Sequence, residues 1–201
     1  MSKEDFEMPK TLNQSMFKNA KLYYDREDFL LDWRAIDSYL EIGVLAGDYT
    51  DLVIKHLKPN SIDLVDPFNQ YDWNRKENPR FDTDTNYDFI KNKYKDTNIN
   101  IIKEYFVKDL NQINKIYDYI YIDAEHSFKF TYDALEFANI HLSVGGLVGI
   151  NDYIMYDHFN NEYYGVVQGV NAFLINNPNW KVYAYALGAA MHSDIYLKKI
   201  N

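Results

Sequence analysis

The sequence predicts an α/β domain with a doubly wound, mostly parallel, seven-stranded sheet that ends in an antiparallel strand pair. Three observations carry that prediction. Five short apolar runs alternate with stretches of helical spacing between residues 36 and 175. The first of these runs, from Tyr39 to Ile42, enters a turn holding Gly43 and Gly47, and Leu52, Val53 and Leu57 then follow at helical spacing. Finally, Trp180 to Ala186 and Asp194 to Lys199 follow each other around Gly188 too closely for a crossover helix, so they must pair antiparallel.

Taken in order, residues 1–35 begin polar and turn amphipathic. Phe17, Leu22 and Tyr23, then Phe29, Leu30, Leu31 and Trp33, predict one or two helices. That segment would either pack on the sheet edge or fold as a lid over the site. Residues 38–42 form the first strand. Strand, glycine turn and helix is the geometry by which an open α/β sheet brings backbone amides to a nucleotide. Gly43 allows the sharp turn, and Gly47 would let a ligand approach without meeting a Cβ. The spacing departs from GxGxxG, because position 45 is Leu and the second glycine follows at position 47. Glu41, just before the turn, would repel a pyrophosphate and attract a cationic ligand.

A helix from Asp48 to Leu57 ends at Lys58-Pro59-Asn60. Ser61 to Asp66 reads as a second buried strand ending in a carboxylate. Asp66 follows Gly43 at close to the ~20 residues at which a nucleotide-binding βαβ unit places its ribose-binding acid. Such an acid can accept hydrogen bonds from both ribose hydroxyls. Residues 67–86 break the pattern, and Phe68, Tyr71, Trp73 and Arg75 either line a substrate pocket there or tack down a surface loop.

A helix from Asn86 to Lys95 precedes a third strand, Ile99 to Lys103, with Glu104, Tyr105 and Phe106 just past its end. A short helix is predicted over 107–115. Tyr117 to Asp123 is the fourth strand, again ending in an acid. A helix from Phe128 to Leu142, closed by Gly145-Gly146, leads to the fifth strand, Leu147 to Ile150. Asn151 and Asp152 stand at its end. A polar loop, 153–164, precedes a helix from Val166 to Ile175. There is no repeat, low-complexity tract or linker, so residues 1–201 read as one domain with its core over 36–201.

Composition narrows the function classes. The chain has 201 residues, enough for one well-buried domain. It has no cysteine, which excludes disulfides, thiolate metal sites and a cysteine nucleophile. No apolar run approaches the ~20 residues of a membrane span, and the start, Met1-Ser2-Lys3-Glu4-Asp5, lacks a signal peptide's apolar core. The expectation is a soluble, cytoplasmic protein without a membrane partner. Net charge is −9 with no lysine or arginine cluster, which predicts no nucleic-acid partner. Aromatics in the first 35 residues would bury either in a homodimer or against the chain's own sheet.

These parts in this order resemble the class I S-adenosylmethionine-dependent methyltransferases, a Rossmann-like fold, over roughly residues 35 to 201. Glu41-Ile42-Gly43-Val44-Leu45-Ala46-Gly47 resembles the family's first motif, which holds the methionine part of the cofactor. The resemblance implies that Asp66 binds the cofactor's ribose and that Glu104, Tyr105 and Phe106 lie beside the adenine. Asp123-Ala124-Glu125-His126-Ser127 and Gly146-Leu147-Val148-Gly149-Ile150-Asn151-Asp152 are similar to the metal-assisted small-molecule O-methyltransferases. That likeness implies a divalent cation, magnesium by preference, on Asp123, Asn151 and Asp152, whose hard oxygen donors suit it.

The histidine following the strand-four acid resembles the sugar and macrolide branch, where it serves as general base. His126 and Asp123 are therefore the implied catalytic residues, and imidazole chemistry suits removal of a hydroxyl proton. His158 and His192 have no such context. Two departures stand out: the pair reads Asn-Asp where relatives often carry Asp-Asn or two acids, and the N-terminal extension is short. The implied activity is methyl transfer to a hydroxylated small molecule, with sugars among the candidates. The competing readings are a nicotinamide-type enzyme on a similar sheet and a non-catalytic scaffold.

Overall fold

A computed structural model describes residues 8–68, 86–188 and 192–201. The elements in chain order are β1 (Lys21–Tyr23), α1 (Arg26–Asp32), β2 (Ser38–Ile42), α2 (Asp48–Leu57), β3 (Ser61–Asp66), α3 (Asn86–Lys93), β4 (Ile99–Lys103) and β5 (Tyr117–Ile122). Then come α4 (Phe128–His141), β6 (Leu142–Ile150), β7 (Tyr156–Asp157), β8 (Glu162–Tyr163), α5 (Val166–Asn176), β9 (Trp180–Ala186) and β10 (Asp194–Lys199). The sheet runs β1-β9-β10-β6-β5-β2-β3-β4. It is parallel from β6 through β4, and β10 is antiparallel to both of its neighbours. β2 lies at the centre of the parallel run, between β5 and β3, which brings the glycine turn to the topological switch point where such sheets bind ligands.

The predicted doubly wound sheet is present with one strand more than expected. The eighth, β1, comes from the N-terminal segment and pairs parallel with β9. Lys21 to Tyr23 are too few to show a strand period, so only the free edge of β9 reveals them. Among its described residues the same segment contributes a single α-helix, α1, whose Phe29 and Leu30 are buried. The short helix predicted over 107–115 is absent. Two successive turns, Leu110 N–H to Val107 O and Ile113 N–H to Leu110 O, bury the same two aliphatic residues. That spacing of three is what a helical turn would also produce.

Gly145-Gly146 lie within β6 rather than closing α4. α4 passes straight into the strand at Leu142, and the register against β5 shifts between Tyr117 and Tyr119. Tyr71, Trp73 and Arg75 lie outside the described residues.

The two faces of the sheet are chemically unlike. One packs aliphatic residues such as Leu40, Ile42, Ile120 and Ile122 under α4 and α5. The other stacks Tyr39, Tyr119, Tyr121 and Tyr196 with Phe29 and Tyr49 under α1 and α2. Buried tyrosines need partners for their hydroxyls. Tyr49 and Tyr119 share a bond of 2.5 Å, Tyr39 donates to Glu41 at 2.7 Å, and Tyr121 and Tyr196 donate to Asp194 at 2.9 and 3.2 Å.

Candidate active site

The ends of β3, β2, β5 and β6 are tied in line by backbone bonds that extend past the strands. Gly43 N–H donates to Val65 O, Asp123 N–H to Ile42 O, and Asn151 N–H to Ile122 O, at 2.8 to 2.9 Å. Gly43 has φ +87°, and a Cβ there would stand 1.9 Å from Asp123 O. The turn therefore depends on glycine for both conformation and space. A cavity of about 510 Å³ opens over these strand ends, a size typical of small-molecule sites.

Asp66 is buried, and its carboxylate holds the turn. One oxygen accepts from Val44 and Leu45 N–H (2.8 and 3.1 Å), the other from Phe68 N–H (2.6 Å). The oxygen facing Phe68 keeps a second lone pair, so the group is set firmly while retaining acceptor capacity there. Glu41 is also buried and accepts from Tyr39 and Thr50 hydroxyls at 2.7 and 2.6 Å. Burial pushes its carboxyl up to about 8, against the opposing pull of those two hydroxyls.

Tyr105 and Phe106 line the cavity, whereas Glu104 is exposed past the end of β4 and does not. Gly47 caps α2 at φ +72°, and the side chain nearest its missing Cβ is Tyr94 of the α3 region.

The other half of the cavity is built from side chains. Asp123 follows β5, and its side chain is 33% exposed. The protein around it nevertheless shields the carboxyl enough to raise its pKa, partly offset by His126 and Arg26. His126 Nε2 stands 3.5 Å from Asp152 Oδ2 and 3.9 Å from Asp123 Oδ1. It is buried and makes no hydrogen bond. Its ring stacks on Tyr164 at 4.3 Å, and its backbone O accepts from Gly165 N–H at 2.7 Å. A Cβ on Gly165 would lie 2.1 Å from Phe128 N, so glycine is what lets the start of α5 come this close to His126. Asp152 adopts φ +52°, a strained conformation for a non-glycine residue at a strand end.

Four residues that sequence reasoning left out surround this half, and of them Arg26 lines the cavity itself. His192 Nδ1 meets Asp152 Oδ1 at 3.1 Å, and its Nε2 lies 3.6 Å from Asp157. Burial alone would raise the Asp157 carboxyl, but Phe159 N–H, the Tyr164 hydroxyl and Asn160 outweigh it and hold it low. Arg26, on α1, donates from Nη2 to Asn151 Oδ1 at 2.7 Å and to Asp194 Oδ1 at 3.1 Å. Asn151 in turn donates to Asp123 Oδ1 at 2.8 Å.

These bonds decide the fit of a metal. The oxygen of Asn151 faces a guanidinium, one oxygen of Asp123 faces an amide donor, and one oxygen of Asp152 faces His192. Among the described residues no group of three or more His, Asp or Glu is arranged to hold a metal ion. The divalent site expected on Asp123, Asn151 and Asp152 does not fit this arrangement.

The sequence model of a methyltransferase domain family matches residues 40–153, more than half of the chain. The chain belongs to this family. It is an S-adenosylmethionine-dependent methyltransferase. Solved structures agree on the fold. An rRNA methylase from Streptococcus thermophilus matches with a TM-score of 0.59 at 13% identity, covering 87% of this chain and 94% of that one. An O-methyltransferase from Bacillus cereus, in complex with S-adenosylhomocysteine, gives 0.57 at 15%, covering 81% and 73%. The O-methyltransferase TomG from Streptomyces achromogenes, in complex with S-adenosylmethionine, gives 0.58 at 12%, covering 83% and 74%. No curated protein matches the sequence.

The expectation that excluded nucleic acid is overturned, since rRNA methylases share this methyltransferase's fold. Net charge is a sum over the whole chain, and an acceptor responds to the local field around a site. Among the described residues no helix is long and apolar enough to cross a membrane.

Proposed function

We propose that this methyltransferase moves the sulfonium methyl of S-adenosylmethionine to a hydroxyl oxygen of a small molecule, with sugars among the candidates. The observation that carries this reading is His126 Nε2, a buried, unbonded nitrogen between two carboxylates on the wall of the cavity. A nitrogen without a partner is free to take a proton. Asp123 and Asp152 would stabilise the imidazolium that results.

The cofactor lies across the ends of β2 and β3 in this reading. Gly43 and Gly47 shape the turn around its methionine part, Asp66 receives its ribose hydroxyls, and Tyr105 and Phe106 flank the adenine. Glu41 faces the cationic end, and a bound positive charge would pull its carboxyl down from about 8 and release a proton. His126 takes the acceptor's hydroxyl proton. An oxygen lone pair then forms the bond to the methyl carbon while the carbon–sulfur bond breaks, its electron pair going to sulfur as neutral S-adenosylhomocysteine. The sulfonium is already an activated donor, so alignment of the reacting atoms supplies much of the acceleration.

Two measurements test this. Calorimetric titration with S-adenosylhomocysteine in metal-free buffer should show micromolar binding, about −8 kcal/mol. Absence of binding would sink the reading. Transfer of labelled methyl from S-adenosylmethionine should then be detected on pooled hydroxylated small molecules run beside rRNA. Label appearing on rRNA alone would refute the acceptor assignment.

A further inference from the structure

We propose that the Arg26 guanidinium is the resident cation of the acceptor half, standing where a divalent metal was expected, so that this chain works without one. The inference rests on reading the cavity as the site of methyl transfer. It begins with the Asn151 amide. Its Oδ1 is 2.7 Å from Arg26 Nη2 and its Nδ2 is 2.8 Å from Asp123 Oδ1. Turned over, the amide would set donor against donor and acceptor against acceptor, so the two neighbours dictate its orientation. The oxygen a metal would need is thereby committed to a cation the protein supplies itself.

Arg26 is also held in place. The same Nη2 reaches Asp194 Oδ1 at 3.1 Å, and Asp194 is 1% exposed. The guanidinium lies 5.6 and 5.9 Å from the rings of Tyr49 and Tyr121. Displacing it would leave the Asp194 carboxylate buried without its counter-charge, an expensive state. Unlike a bound metal, this charge neither dissociates nor titrates. Arg26 and His126 line the same cavity. A fixed positive charge there favours the negative charge that develops on the acceptor oxygen as His126 removes its proton. Both Arg26 and Asp194 lie outside residues 40–153, so the device is not part of the matched family segment.

The test uses the whole chain and Mn²⁺ as probe. Equimolar Mn²⁺ added to the protein, with and without S-adenosylhomocysteine, should keep the free-ion paramagnetic resonance spectrum. Loss of one equivalent of that signal, restored by excess Mg²⁺, would overturn the proposal. Methyl transfer by the parent should resist EDTA. Arg26→Gln should lose at least about tenfold in kcat, without rescue by Mg²⁺, while still binding S-adenosylhomocysteine. Parental kcat in that variant would refute the role. Should the variant fail to fold, the Mn²⁺ titration of the parent still decides. S-adenosylhomocysteine binding in metal-free buffer separately reports whether the methyl-transfer reading holds.

Discussion

The two halves of the cavity are built on opposite principles. The half over β2 and β3 is made of backbone: a left-handed glycine, a tight turn, and one carboxylate accepting from main-chain N–H groups. The half beside β5 is walled by side chains from separated segments, Arg26, Asp123 and His126, with Asn151, Asp152 and His192 bonded behind them. A backbone site tolerates change at most side chains and almost none at its glycine. A side-chain site should lose function residue by residue while the fold survives. Gly43 joins the two, because the missing Cβ is what lets Asp123 O approach.

The largest expected effect comes from breaking that joint. Gly43→Ala forces a Cβ against Asp123 O at φ +87°. It should cost roughly 3–5 kcal/mol of stability and abolish S-adenosylhomocysteine binding, read by denaturant unfolding and calorimetry. A stable variant that still binds would show that the halves are not coupled through this contact.

His126→Ala attacks only the side-chain half. Turnover should fall by about 10²–10⁴ while cofactor affinity is retained. Equal turnover in variant and parent would remove His126 from the role of base.

Asp66→Asn attacks only the backbone half. An amide cannot accept at both ends, so one cluster of N–H groups loses its partner. Stability should drop by about 2–3 kcal/mol and cofactor binding should weaken. An unchanged unfolding midpoint would mean that the turn holds its shape without this carboxylate.

The smallest effect is in pH dependence. The Glu41 carboxyl is raised from 4.5 to about 8 on folding, chiefly by burial. Between those values the native state binds more protons than the unfolded one, so stability falls as pH rises. The favourable contribution is complete below about 4.5 and is lost as pH rises through about 8. Thermal unfolding from pH 5 to 8.5 should show this slope, and Glu41→Gln should flatten it. The same slope in both proteins would assign it to another group, such as Asp194, which burial raises to about 7.

The same division governed what could be read in advance. The central strands, the glycine turn, the acid ending β3 and the antiparallel closing pair were legible because each is a local pattern. Hydrophobic period, glycine position and connection length each act within a few residues. The turns at Leu110 and Ile113 misled because a spacing of three bears two local solutions, and β1 escaped because three residues carry no period.

His126 was found through the motif around Asp123. His192 sits far along the chain from Asp152, and nothing near it in sequence hints at their meeting. The expected metal ligands, Asp123, Asn151 and Asp152, follow the neighbouring strands β5 and β6. What sequence could not show is that Arg26, contributed by α1, already occupies the Asn151 oxygen.

The sequence by itself determined the sheet, its turn and the strand ends at which chemistry can occur, because backbone preference and hydrophobic burial are set by neighbouring residues. The tertiary structure alone decided which charges meet there. An ion pair depends on distance in space, and α1 and β10, the two segments bearing Arg26 and Asp194, are brought together only by packing on a common sheet.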